Sequence, residues 1–186
     1  RSFARLSRQS LFLEVVFVEK TRVLLTAPQK LVREAIGKAI DNEEGLLLVG
    51  STDDGLEAFR LAREARPDVV VFDLGSGKMD WPHFVRELSL SCRGVRFLAL
   101  SSDGSPDRIS ALCEAGIHGC VSFSSGFSEL VKGLRKVGEG DLFFDQEISS
   151  ALPEILGKVN EGAILLRALT AREREVVHLL SQGYSN

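Results

Sequence analysis

The sequence has few cysteines, no long apolar run and no strong excess of positive charge. Its three cysteines, Cys92, Cys113 and Cys120, are odd in number and form no CxxC pair, so we interpret them as free thiols and expect no disulfide framework. No apolar segment approaches the roughly 20 residues of a membrane-spanning helix, and we expect no membrane partner. A net charge of −3 gives no overall sign of nucleic-acid binding, although a local basic patch is enough for it.

The residue sets that catalysis or metal binding needs are also missing. His83, His118 and His178 are scattered over different predicted elements and form no metal-binding group. Gly75-Ser76-Gly77-Lys78 is similar to part of a P-loop, but it lacks the full glycine spacing and the Ser or Thr after the lysine. Because no nucleophile–base pair is present either, we predict that the chain is not an enzyme and expect no cofactor.

One short apolar run organises the rest of the chain. Pro67-Asp68 is a turn, and the β-branched run that follows it, Val69-Val70-Val71-Phe72, ends at Asp73. A run of this length and composition is typical of a strand buried on both faces of a parallel sheet. Because chemistry in open α/β sheets gathers at the carboxyl ends of strands, we expect Asp73 to lie in a functional site.

Further predicted strands alternate with amphipathic helices around this run. The other strands are predicted at residues 22–26, 46–50, 95–101 and 119–122. Apolar residues at helical spacing fill the intervals, beginning with Leu31, Val32, Ala35, Ile36, Ala39 and Ile40, and then Leu56, Phe59 and Ala62. Five βα units in sequence predict an α/β fold, a doubly wound five-stranded parallel sheet covered by helices on both faces.

The head of the chain differs from this pattern. Residues 11–18 are apolar, but Glu14 interrupts the run and no small-residue cleavage site follows, which argues against a signal peptide. We interpret residues 1–20 as an N-terminal extension, either an extra strand or a segment outside the main domain.

The tail of the chain also changes character. An apolar stripe from Ile148 to Val159 predicts a helical linker over residues 141–166. Thr170-Ala171-Arg172-Glu173 is a capping box, in which the side chains of Thr170 and Glu173 each bond the other residue's amide, so a new helix begins there. Arg174 continues that helix, and Gly183-Tyr184-Ser185-Asn186 is a turn.

These pieces together resemble two parts of a known family. Residues 21–140 resemble the receiver domain of bacterial response regulators, and residues 167–186 resemble the start of the LuxR-type helix-turn-helix of NarL/FixJ-type regulators. The matching pieces are Leu31-Val32-Arg33-Glu34, the run from Arg66 to Asp73, Met79-Asp80, Ser101, Ala115-Gly116-Ile117-His118-Gly119, the run from Leu169 to Val176, and Gly183-Tyr184-Ser185-Asn186. The resemblance implies the sheet order 2-1-3-4-5.

The resemblance also implies a chemistry, which is phosphoryl transfer onto an aspartate. In the family the carboxylate is the nucleophile, Mg²⁺ held by acidic residues after the first strand offsets the charge, and a lysine after the fifth strand pairs with the phosphate. Asp73 matches the phosphoacceptor, and Ser101 matches the hydroxyl that acts as the switch. Thr170, Arg172, Glu173 and Arg174 match the start of the DNA-binding module.

The sequence departs from the family at the groups that support the phosphoryl group. Ala27 and Pro28 stand where the acidic pair belongs, and neither has a side-chain oxygen for a hard cation. Phe123 stands where the lysine belongs. Because a phosphoryl group would then lie unpaired beside a carboxylate, we predict a degenerate receiver that binds no Mg²⁺.

Three readings follow, and they stay open at this point. The first is a transcription regulator whose receiver is not phosphorylated and is controlled by dimerisation, a protein partner or a small ligand in the pocket altered by Ala27, Pro28 and Phe123. The second is a phosphorylation-switched regulator in which Lys78 replaces the missing lysine beside Asp73. The third is a pseudo-receiver that serves as a protein-interaction module.

The partners and location follow from the resemblance as well. The family implies a bacterial cytoplasmic protein that forms a homodimer and binds DNA through a complete helix-turn-helix, of which residues 167–186 would be the beginning. Trp81 stands in the loop after Met79-Asp80, where the sequence leaves open a partner anchor, a plug over the pocket or local packing.

Overall fold

The computed structural model of the protein describes residues 20–75 and 79–150. Its strands are β1 Thr21–Thr26, β2 Leu46–Thr52, β3 Val69–Asp73, β4 Arg96–Ser101, β5 Gly119–Ser122 and β6 Phe143–Phe144. Its helices are α1 Lys30–Asp41, α2 Gly55–Ala65, α3 Trp81–Ser91, α4 Pro106–Ala115 and α5 Phe127–Glu139. The N-terminal extension up to residue 19, the later part of the predicted linker and the predicted helix-turn-helix start lie outside the described residues.

The strands form one parallel sheet in the order β2-β1-β3-β4-β5-β6. The predicted order of the first five strands is confirmed, but the prediction of a five-stranded sheet was wrong, because β6 is a sixth. Two residues are too short to produce a periodic signal, and Phe143–Phe144 falls in the segment that the apolar stripe assigned to a helical linker.

The sixth strand fits against β5 because two glycines lack side chains. A Cβ on Gly119 would lie 2.3 Å from the Phe143 carbonyl oxygen, and a Cβ on Gly133 would lie 2.9 Å from the Phe143 ring. Real Cβ atoms do not approach that closely, so glycine at these positions permits the contact between β6, β5 and α5.

The helices cover both faces of the sheet, as predicted. Alternate residues of each central strand point to opposite faces, which gives two apolar cores. On one face, Leu24 and Phe72 join the apolar sides of α2, α3 and α4; on the other, Val23 and Val71 join those of α1 and α5. All five residues of β3 are buried, which confirms that the run ending at Asp73 is the central strand.

The caps of two helices place the loops next to the carboxyl edge of the sheet. The side chain of Asp54 accepts a hydrogen bond from Glu57 N at the start of α2, and that of Asp80 accepts one from His83 N at the start of α3.

Across residues 20–75 and 79–150, none of the helices has the length and apolarity to cross a membrane.

Candidate functional site at the carboxyl edge of the sheet

The candidate site lies where β1, β3, β4 and β5 end side by side. Asp73 ends β3 and pairs in register with Leu100 of β4, whose next residue is Ser101. Asp73 is 4% exposed, and its Oδ1 accepts a hydrogen bond from Gly75 N at 2.7 Å. Among the described residues no lysine, arginine or histidine forms an ion pair with it. The structure therefore places a buried carboxylate at the predicted position, where it is hydrogen-bonded to the backbone of the turn that follows it.

The position of the family's acidic pair is filled by apolar residues. Ala27 is fully buried after β1, and its amide donates to Thr52 O at 3.1 Å; Pro28 is partly buried. Arg33 of α1 donates from Nη1 to Ala27 O at 2.5 Å, and its Nη2 lies 3.6 Å from Asp53 Oδ2. A guanidinium, bonded to a backbone carbonyl and ion-paired with an exposed acid, therefore lies at this corner. Sequence reasoning matched Arg33 to the family only as part of a motif.

Ser101 is buried and bonded within the turn that follows β4. Its hydroxyl lies 3.3 Å from Asp103 Oδ1 and accepts a hydrogen bond from Gly104 N at 3.0 Å. Ser101 is 0% exposed, so the hydroxyl faces the protein interior. The predicted switch residue thus closes the β4–α4 turn.

A cation that sequence reasoning missed reaches the Asp73 turn from α4. Arg108 donates from Nη2 to the Leu74 carbonyl, and its Nη1 lies 3.6 Å from Asp103 Oδ2. The guanidinium therefore joins the β3–α3 turn to the β4–α4 turn, and its ion pair is with Asp103 rather than Asp73. The sequence signal was only one arginine on a predicted helix, which does not show where the side chain points.

Phe123 lies in a single 3-10 turn, Phe123–Ser125, directly after β5. Its ring is 39% exposed and lines an apolar groove of about 260 Å³ between α1 and α5. The groove is lined by Val32, Ala35, Ile36, Leu100, Val121, Ser122, Phe123, Gly126, Phe127 and Leu130. Ala27, Pro28, Asp73 and Ser101 are not part of this lining, so the structure does not bring Phe123 together with them around that groove.

The loop after Asp73 is described only in part, and Lys78 lies outside the described residues. Beyond it, Trp81 is 3% exposed and stacks on Phe72, with ring centroids 4.7 Å apart. Its ring also meets Phe84 edge to face at 5.5 Å. Of the alternatives left open for Trp81, the structure favours local packing against Phe72 and Phe84.

Two groups at the amino-terminal end of β5, the partly buried His118 and the buried Cys120, have shifted pKa values. Burial lowers the pKa of His118 to about 4, and the charge of Arg96 adds to this shift; Nδ1 of His118 accepts a hydrogen bond from Phe97 N at 3.3 Å. Burial raises the pKa of the Cys120 thiol far above its usual range, and the negative charge of Asp145 adds to it. Within residues 20–75 and 79–150, no three His, Cys, Asp or Glu side chains are grouped as metal ligands.

Asp145 is a second buried carboxylate that sequence reasoning did not single out. It is 2% exposed, its Oδ2 accepts from Ser122 N at 2.6 Å, and its Oδ1 accepts from Ile148 N at 2.9 Å. Asp145 therefore connects the end of β5 to residues 146–150, which are helical. An acid just before the apolar stripe that begins at Ile148 is typical of a helix N-cap. The contact with Ser122 has no sequence signal and is seen only in the structure.

The topology and the edge define a class of domain. A doubly wound parallel sheet, with a buried aspartate ending its central strand and a hydroxyl ending the next strand, is the arrangement of a receiver. Residues 23–135 match the response regulator receiver domain family, and the chain belongs to that family.

Its relatives are response regulators of the NarL and LuxR type. The chain is 26% identical over 165 residues to the response regulator protein VraR of Staphylococcus epidermidis and to the transcriptional regulatory protein LiaR of Bacillus subtilis; each match covers 89% of this chain and 78% of the relative. A LuxR-family two-component response regulator from Aurantimonas sp. SI85-9A1 has a similar structure, with 27% identity and a TM-score of 0.68, covering 73% of this chain and 96% of that one.

A more distant structure agrees in fold alone. It is described as two RcsB dimers bound to two parallel DNAs, with 19% identity, a TM-score of 0.65 and coverage of 89% of this chain and 79% of that chain.

Proposed function

We propose that the chain is part of a transcription regulator whose receiver works without phosphorylation of Asp73. One observation carries this proposal: among the described residues, the carboxylate forms no ion pair, and Ala27, Pro28 and Phe123 stand at the sequence positions of the family's acids and lysine. Phosphorylation replaces the single negative charge of the carboxylate with the two negative charges of an acylphosphate. Without a metal ion or lysine to offset them, the acylphosphate is strongly disfavoured.

The charges that are present face other partners. Arg108 is bonded to Leu74 O and paired with Asp103, while Arg33 is bonded to Ala27 O and lies near Asp53. Recruiting either guanidinium for a phosphate would break those contacts. We therefore assign both arginines to holding the turns in one arrangement.

The test of this proposal is the intact mass of the protein after incubation with acetyl phosphate and Mg²⁺. We expect no phosphoryl adduct on the natural sequence. The matched control is the variant Ala27→Asp/Pro28→Asp/Phe123→Lys, which restores the two acids and the lysine; we expect it to gain an adduct that Asp73→Asn abolishes. An Asp73-dependent adduct on the natural sequence would refute the proposal. Its loss in Lys78→Gln would then support the second reading, in which Lys78 serves as the missing lysine.

The output that we propose is DNA binding by a dimer. The relatives LiaR and VraR are named as regulators, and RcsB is described as dimers on DNA, which supports extending both properties to this chain. The Thr170, Arg172, Glu173 and Arg174 segment would begin the DNA-binding module, and the protein would act in the bacterial cytoplasm as its relatives' class implies. In this reading the domain carries no enzymatic turnover.

A specific observation favours control by pairing of receivers. The α1–α5 groove is apolar, Phe123 is exposed on its rim, and Leu31, one turn before Ala35 on α1, is 80% exposed. We expect Leu31→Glu to shift the protein toward monomer in light scattering. The matched control is Leu56→Glu, because Leu56 is 84% exposed at the start of α2, away from the groove. Equal effects of the two substitutions would contradict pairing at α1 and α5.

A further inference from the structure

The start of the linker helix is hydrogen-bonded to the end of β5 and to the turn after it, and it lies close to the turn after β4. Residues 146–150 are helical, and Asp145 occupies the position before them. One of its carboxylate oxygens bonds Ile148 N, as a helix cap does, while the other bonds Ser122 N at the end of β5. Asp145 N also donates to Cys120 O at 3.3 Å, so the backbone of the linker continues the edge of the sheet.

The apolar side of the helix lies close to the turn that follows β4. Ile148 is 1% exposed and belongs to the core that contains Ile109, Leu112 and Cys120. Its Cδ1 lies 4.0 Å from the position that a Cβ on Gly104 would take. Gly104 N in turn donates to the Ser101 hydroxyl. Ile148 is therefore separated from the buried hydroxyl by one residue of the β4–α4 turn.

Another contact joins the first turn of the helix to the 3-10 turn after β5. The Ser124 hydroxyl bonds the Glu147 carboxylate, and the Ser122 and Ser124 hydroxyls lie 2.8 Å apart. These are side chains of the turn that carries Phe123. The linker helix thus bonds the β5–α5 turn through polar groups and places the apolar side chain of Ile148 close to the β4–α4 turn.

We propose that the β4–α4 and β5–α5 turns form a docking surface for the linker helix, with Asp145 as its positioning residue. The occupant is residues 146–150 of this chain, which precede the proposed output module in the sequence. Because the Asp145 carboxylate uses one oxygen for the helix and one for Ser122 N, a movement of the β5–α5 turn redirects the helix axis. The β4–α4 turn acts on the helix through Ile148, which lies beside Gly104. This inference rests on the proposed function, because only that function makes residues 146–150 a connection to an output module. The contacts themselves can be tested without it.

The test is hydrogen–deuterium exchange on the complete chain, without DNA or phosphate donor. Asp145→Ser keeps a capping oxygen for Ile148 N but has no second oxygen for Ser122 N. We expect the Ser122 amide to exchange about tenfold faster, with faster exchange in residues 146–150 as well. The matched control is Asp54→Ser. Asp54 is exposed and caps α2 in the same way, since its side chain accepts a hydrogen bond from Glu57 N at 2.8 Å. There we expect changes confined to α2.

A coupling measurement separates positioning from mere stability. Ser101→Ala removes the acceptor of Gly104 N, and we expect it to change exchange in residues 146–150 of the natural sequence but not in an Ile148→Ala background. Equal effects of Ser101→Ala in both backgrounds would overturn the inference, as would an unchanged Ser122 amide in Asp145→Ser. If Asp145→Ser does not fold, the Ser101/Ile148 pair decides alone. A phosphoryl adduct on Asp73 would refute the proposed function while leaving these outcomes intact.

Discussion

The shifted pKa of His118 predicts how the stability of the domain depends on pH. The side chain is neutral when folded, because burial and the Arg96 charge hold its pKa at about 4, and because Nδ1 is needed as the acceptor for Phe97 N. In the unfolded chain a histidine titrates near pH 6.5. Between these two values the unfolded state binds more protons, so acid favours unfolding in this window. The stability contribution is complete above pH 6.5 and is lost as the pH falls toward 4.

The size of the effect follows from the two pKa values. The full difference corresponds to about 3 kcal/mol, of which about 2 kcal/mol would be lost by pH 5. Since His118 is not completely buried, solvent screening reduces this figure, and we expect a loss of about 1 to 2 kcal/mol between pH 7.5 and pH 5.

Urea unfolding at the two pH values provides the assay. Asn at position 118 keeps an acceptor for Phe97 N but does not titrate. On going from pH 7.5 to pH 5, the free energy of unfolding of His118→Asn should therefore fall by about 1 to 2 kcal/mol less than that of the natural sequence. His83→Asn is the matched control, because His83 is exposed, and it should behave as the natural sequence does. If His118→Asn lost as much stability on acidification as the natural sequence, carboxylates elsewhere would be responsible and the reasoning would be refuted.

Two further predictions concern the core. Trp81→Ala should destabilise the fold by about 3 to 5 kcal/mol, because it removes a buried ring that stacks on Phe72; Trp81→Phe should cost much less, since among the described residues the indole N–H has no acceptor to lose. Chemical unfolding followed by far-UV circular dichroism measures both, and equal losses would contradict the packing argument. In thiol labelling of the native protein at pH 8, Cys92 should react first and Cys120 last, because Cys120 is buried and its pKa is raised; equal rates for the two would show that β5 opens readily.

The central strand shows why part of the fold was predictable. A Val-rich run ending at Asp73 can be buried on both faces only in the middle of a parallel sheet, and β3 is fully buried. Leu31 and Leu56 show where periodicity fails. Both were placed with the apolar residues of their helices, yet they are 80% and 84% exposed. Ala58, in the same first turn as Leu56, is fully buried, so the first turn meets the core with one side only and Leu56 lies on the other.

The candidate site was also predictable only in part. The resemblance to the family identified Ala27, Pro28 and Phe123 as the positions of the missing acids and lysine, because those positions depend only on chain order. The direction of Phe123 was not predictable, because the 3-10 turn after β5 turns its ring toward α1 and α5. Arg108 and Asp145 were missed because their partners, Leu74 and Ser122, lie 34 and 23 residues away in the chain.

The sixth strand has a practical consequence for anyone producing this receiver alone. A recombinant product that stops at Gly140, where the glycines suggest an end, would lack Phe143 and Ile148. The hydrogen-bonding edge of β5 would then be bare, and the places above Gly119 and Gly133 that Phe143 fills would be open. Bare strand edges pair with other chains, so such a product invites edge-to-edge aggregation. The soluble unit should extend at least through residue 150.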